Sequence, residues 1–129
     1  VTVVDTSALM AILLGEAAAD ACAAAIEADE DLLISAATVA EASIVARRRG
    51  LGEQMGCLLD GLGMEVAPVT PADAHAVASA YERWGKGIHP AGLNFGDCFA
   101  YALAKREGAP LLFVGDDFAR TDIVPRLAG

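Results

Sequence analysis

Four short apolar runs punctuate this chain: Val1–Val4, Leu32–Ile34, Met64–Val69 and Leu111–Val114. Helix-forming sequence separates each from the next. Each run is short enough for a strand, and Val1–Val4, apolar and β-branched, suits a buried one. Strands that alternate with helices predict a parallel sheet covered on both sides. The helical segments read as Ala8–Leu14, Glu16–Ala28, Ala36–Arg49, Leu51–Leu62, Pro71–Trp84 and Asn94–Glu107, with Gly15, Gly50 and Gly108 as stops. Ile123-Val124 offers a fifth strand at an edge. The expected architecture is α/β: one domain over residues 1–129, with three α/β/α layers around a four- to five-stranded parallel sheet.

Against this frame a few carboxylates stand in awkward places. Asp5 ends the first strand, and Asp116-Asp117 follow the last. Glu41 and Asp97 lie in the first turns of two strongly apolar helices. Each has an ordinary explanation taken singly. Asp5 can cap a helix, Asp97 is an acid favoured by the dipole of a first turn, and Asp116-Asp117 suit a turn. Glu41 is harder to excuse, because Val39, Ala40, Ala42, Ile44 and Val45 surround it. In an open parallel sheet, ligands bind outside the carboxyl ends of the strands. All these acids can face one crevice there, and crowded carboxylates repel unless a cation lies between them. Hard oxygen donors suit Mg2+ or Mn2+, as one ion or two. Neither His75 nor His89 has a helical partner histidine, so zinc is disfavoured.

The formal charge of −9 is unevenly spread. Residues 1–46 hold eight acids and no Lys or Arg, while the remainder nearly balances. Such a surface binds nucleic acid poorly without a local basic patch. No apolar run approaches a membrane span, and no charged-then-apolar leader is present. Cys22, Cys57 and Cys98 fit neither a zinc pattern nor a disulfide framework, and they read as small buried residues in a reducing, cytoplasmic setting.

Several blocks together resemble the PIN-domain ribonucleases, specifically the VapC-type toxins of bacterial toxin–antitoxin pairs. They are Val3-Val4-Asp5-Thr6-Ser7-Ala8-Leu9, Glu41 on the third helix, Gly92-Leu93-Asn94-Phe95-Gly96-Asp97-Cys98-Phe99, and Leu111-Leu112-Phe113-Val114-Gly115-Asp116-Asp117-Phe118 followed by Thr121-Asp122-Ile123. The resemblance spans the chain. It implies a PIN-like fold and hydrolysis of RNA phosphodiesters with Mg2+ or Mn2+. Asp5 and Asp97 would be the core metal ligands, completed by Glu41 and by either Asp116 or Asp117. Thr6, Ser7 and Asn94 would support these carboxylates. The resemblance further implies a homodimer held inactive by a cognate antitoxin, and the acidic first part suits a cationic peptide.

For RNA contact, the segment Arg83-Trp84-Gly85-Lys86-Gly87-Ile88-His89 is the densest basic and aromatic cluster. Its glycines predict mobility. Trp84 is expected to stack a base, while Lys86, His89 and Arg120 approach phosphates. Two other classes group acids similarly. A receiver-like signalling domain wants paired acids after the first strand and a Lys after the last, and this chain has neither. A non-catalytic binding module would use the acids only as caps.

Overall fold

A computed structural model describes residues 1–127. The elements follow in the order β1 (Thr2–Val4), α1 (Thr6–Leu14), α2 (Ala19–Glu27), β2 (Leu32–Ser35), α3 (Ala36–Arg48), α4 (Gly52–Leu62), β3 (Glu65–Ala67), α5 (Pro71–Trp84), α6 (Phe95–Glu107) and β4 (Leu111–Leu112). A single 3-10 turn at Phe118–Arg120 follows. The four strands are parallel and ordered β3-β2-β1-β4.

Strand alternation divides the core into two layers. Val3, Leu33 and Leu111 face one side, where they pack with Val77, Trp84 and the buried face of α6. Val4, Leu32, Ile34 and Leu112 face the other, against Leu9 of α1, Cys22 and Ile26 of α2, Ala42 of α3 and Met55 of α4. Period-two side chains on β1, β2 and β4, covered by helices on both faces, therefore make three layers, while edge strand β3 leaves Glu65 and Val66 exposed. The chain moves outward from β1 through β2 to β3, then returns to the far side of β1 as β4. The order thus reverses between β1 and β4, where an open α/β sheet forms its crevice.

Several elements depart from the sequence reading. Helix α2 starts at Ala19, because Gly15 turns the chain at φ 62° and residues 16–18 form a separate turn closed by the Ala19 N–H on the Glu16 carbonyl at 2.9 Å. β4 stops at Leu112, since the Val114 N–H donates to Ser7 Oγ at 3.0 Å rather than to a neighbouring strand. The fifth strand at Ile123-Val124 is reduced to one bridge, in which Leu111 donates to the Val124 carbonyl and accepts from the Arg126 N–H, both at 2.9 Å. Cys57 is exposed, whereas Cys22 and Cys98 are buried.

The glycine-rich segment after α5 is not loose. Lys86 N–H donates to the Leu93 carbonyl at 2.9 Å, Leu93 N–H to the Trp84 carbonyl at 3.0 Å, and His89 N–H to the Gly85 carbonyl at 3.0 Å. Gly87 and Gly92 take the left-handed φ values, 84° and 62°, that this closed turn requires. Its glycines shape the turn rather than free it.

Candidate active site

Each acid is placed by the start of a helix or by a strand exit. Asp5 leaves β1 in extended conformation and caps α1, its Oδ2 accepting from the Ser7 N–H at 3.0 Å and from Ser7 Oγ at 2.6 Å. Ser7 Oγ also takes the Val114 N–H, so one hydroxyl joins the ends of β1 and β4. Asp5 is almost wholly buried, and its Oδ1 has no hydrogen-bond partner. Native proteins rarely leave a buried carboxylate oxygen unpaired without a use for it.

Asp97 stands at the third position of α6 in a capping box with Asn94. Its Oδ2 accepts the Asn94 N–H at 3.0 Å, and its own N–H donates to Asn94 Oδ1 at 2.8 Å. Glu41 lies in the second turn of α3 rather than the first, because the helix already begins at Ala36, and is held by Thr6 Oγ1 donating to its Oε1 at 2.6 Å. The Glu41 carboxylate lies against Gly96, where any Cβ would overlap it. The glycine so near the start of α6 is therefore what lets an acid on α3 sit beside the acid on α6.

The electrostatics tie these groups together. Burial pushes the Asp97 carboxyl up to about 7, opposed by the Asn94 hydrogen bond and reinforced by the charges of Asp5, Glu41 and Asp117. Burial likewise pushes Asp5 up to about 6, against its Ser7 hydrogen bonds and with the Glu41 charge adding to the rise. Asp117 is thus the member of the adjacent pair whose charge reaches Asp97. Asp116 lines a separate cleft with Ala18, Ala21, Phe113 and Leu127.

Among the described residues, no three of these carboxylates are close enough to form a ready-made ligand set. Thr6 and Asn94 each occupy an oxygen of one of these carboxylates, and like charges do not close on one another unaided. What fits a hard divalent cation is the donor set itself: carboxylate oxygens only, one of them buried and unpaired.

The basic and aromatic candidates sit differently from the expectation. Trp84 is 8% exposed, donates its indole N–H to the Tyr101 hydroxyl at 2.9 Å and packs edge-on against His89 at 4.7 Å. It offers no free face for a base, so it is a core residue. His89 is half-buried, and its Nδ1 accepts the Ala91 N–H at 3.0 Å, which closes the turn. Lys86 and Arg120 are exposed, with Arg120 donating to the Pro90 carbonyl at 3.3 Å.

Two features escaped the sequence reading. Gly96 carried a signal, since a glycine within a helical turn costs roughly 1 kcal/mol against alanine and needs a reason. Phe95 carried none: it begins α6 and is 70% exposed.

The PIN-domain family profile matches residues 2–124. The chain is 46% identical over 125 residues to ribonuclease VapC30 of Mycobacterium tuberculosis, covering 94% of this chain and 95% of that protein. It is 45% identical to a ribonuclease VapC of Mycolicibacterium smegmatis, covering 94% and 96%. Among solved structures, the Mycobacterium tuberculosis sarcin-ricin loop cleaving toxin VapC20 superposes with a TM-score of 0.76 at 18% identity, covering 96% of this chain and 97% of that one. A toxin–antitoxin complex from Klebsiella pneumoniae does so with a TM-score of 0.73, also at 18% identity, covering 98% of each chain. These matches do not favour the receiver-like reading.

Proposed function

Because this chain belongs to the PIN-domain family and to its VapC ribonucleases, we propose that its acidic crevice binds Mg2+ or Mn2+ and cleaves RNA phosphodiester bonds. The observation that carries the reading is the buried, unpaired Asp5 Oδ1, beside an Asp97 whose ionisation three other acids oppose. Asp5 and Asp97 would hold the cation, with Glu41 and Asp117 completing the charge. We read Asp117, not Asp116, as the fourth acid, because its charge acts on Asp97. When bound, such an ion neutralises charge building on the phosphate and acidifies water. The chain's own residues supply position. Ser7 fixes Asp5, Asn94 fixes Asp97, and Thr6 with Gly96 fixes Glu41. Lys86 and Arg120, exposed cations on a chain of net charge −9, are assigned to RNA phosphates.

The test is cleavage of total RNA by purified protein, with Mn2+ and with a chelator. Fragments with mapped, discrete ends are expected in Mn2+ alone. Intact RNA in Mg2+ and in Mn2+ would end the proposal.

The pH dependence of stability tests the site without RNA. Asp5 and Asp97 have folded pKa values of about 6 and about 7, raised from the 3.8 of an unperturbed carboxyl. The folded state therefore binds more protons than the unfolded state between about pH 4 and pH 7. Their contribution is complete below pH 4 and is lost as pH rises through 6 to 7. Asp29, Asp73 and Asp122 have lowered values and titrate below this window. Without metal, the melting temperature is expected to be higher at pH 5 than at pH 8. Saturating Mn2+ should raise it by about 5 °C or more at pH 8 and by much less at pH 5. An equal Mn2+ effect at both values would contradict the assignment.

Partners follow from the family and from the surface. A cognate antitoxin is proposed, in keeping with the toxin–antitoxin complex that shares the fold, and a cytoplasmic location is proposed with the RNA substrate. No single helix in the described residues is long and apolar enough to cross a membrane. A homodimer is proposed through the face made by α3, α5 and the start of α6. There Ile44, Val69, Tyr81 and Phe95 are exposed, and two clefts of about 410 and 500 Å3 flank Phe95. Grouped large apolar side chains of this kind mark an interface. Ile44→Glu is expected to convert a dimer into a monomer in sedimentation. A wild-type monomer, or a dimeric Ile44→Glu, would refute this interface.

A further inference from the structure

The segment that carries Asp117 is anchored in a way the site itself does not explain. Phe118 and Ile123 enter the core beneath it, and Thr121 Oγ1 closes the turn by donating to the Phe118 carbonyl at 2.6 Å and accepting the Ile123 N–H at 3.1 Å. Asp122 reaches instead across to α6. Its Oδ1 accepts the Tyr101 O–H at 2.6 Å, and its Oδ2 meets Lys105 Nζ at 3.2 Å and Arg83 Nη1 at 3.7 Å. The Tyr101 hydroxyl in turn accepts the Trp84 indole N–H. Tyr101 lies four residues after Asp97 and Lys105 four further, so the ties run up the same face of α6 that starts at Asp97.

We propose that the Tyr101–Asp122 hydrogen bond is a positioning device that sets how closely Asp117 approaches Asp97, and so tunes the crevice's hold on a divalent cation. The proposal rests on the metal site described above. The reason for such a device is mechanical. Asp97 and Asp117 repel in the absence of an ion, and they sit on different elements. The exposed ion pairs to Lys105 and Arg83 are weak restraints on their own. The tyrosine hydroxyl is a stronger one, because Tyr101 is buried and its oxygen is fixed from behind by the Trp84 N–H while it donates to a charged acceptor. Neither Tyr101 nor Asp122 would touch metal or RNA, so their effect passes through Asp117.

The experiment is Mn2+ binding by titration calorimetry for the wild type, Tyr101→Phe, Asp117→Asn and the Tyr101→Phe/Asp117→Asn pair, each well below its own melting temperature. Removing a group that orients a metal ligand costs about 10-fold in affinity or more. Tyr101→Phe is expected to weaken Mn2+ by about 10-fold, and to weaken it hardly further once Asp117→Asn is present. Wild-type affinity in Tyr101→Phe, or losses that simply multiply in the double variant, would overturn the proposal. If Asp117→Asn alone binds Mn2+ normally, the assignment of the fourth acid fails, and the positioning proposal fails with it. Asp122→Asn keeps an acceptor for Tyr101 while weakening the ion pairs. It should retain most of the affinity, and should Tyr101→Phe not fold, a 10-fold loss in Asp122→Asn would assign the restraint to the ion pairs and refute the role of the hydroxyl.

Discussion

Asp97→Asn is expected to remove RNA cleavage while making the metal-free protein more stable. The two effects share one cause. Asp97 is raised to about 7 by burial and by three neighbouring acids, so at pH 8 its charge is held against an opposing field. An asparagine oxygen can still accept the Asn94 N–H, so the start of α6 is retained. The lost charge relieves the repulsion, and the melting temperature without metal should rise by a few degrees at pH 8. Cleavage in Mn2+ should fall at least about 100-fold, since loss of a core ligand removes several kcal/mol of charge stabilisation on the phosphate. Circular dichroism melting and initial cleavage rates measure both. Activity above a tenth of wild type would show that Asp97 is not a core ligand.

The second large effect is expected from a change that adds one methyl group and removes no functional atom. In Gly96→Ala the new Cβ falls on the Glu41 carboxylate. That carboxylate ends a flexible side chain, so it can swing away at little cost to stability. Alanine in α6 even favours the helix by up to about 1 kcal/mol. In swinging away, Glu41 loses Thr6 and its place beside Asp97. Cleavage should drop about 10- to 100-fold with the melting temperature unchanged or higher. Gly61→Ala on α4, where a Cβ meets nothing within 4 Å, is the control and should leave cleavage alone. Equal rates in the two variants would show that Glu41 has no catalytic part.

These two residues also show what a sequence can and cannot disclose. The strands, the helices and the strand-end position of Asp5 follow from periodicity and capping, which act locally. Asp97 was legible for the same reason, because Asn94 and Asp97 write a capping box into four consecutive residues. The choice between Asp116 and Asp117 was not. Adjacent residues after a strand differ only in how the turn aims them, and that turn is set by Phe118 entering the core. Trp84 misled for a related reason. Its neighbours Arg83 and Lys86 suggested nucleic acid, but its partner Tyr101 is seventeen residues away and invisible to local pattern. The early end of β4 depended on Ser7, at the opposite end of the chain.

That last contact reaches beyond geometry. Ser7 holds Asp5 and waits for the N–H of Val114, 107 residues later, while β4 pairs with β1 and brings Asp117 behind it. A chain emerging from the ribosome can form β1, β2, β3 and most of its helices and still lack half of its acidic crevice. Pairing of β4 with β1 and the Val114–Ser7 bond therefore act as a latch on the crevice, and cleavage is expected only once that latch has closed.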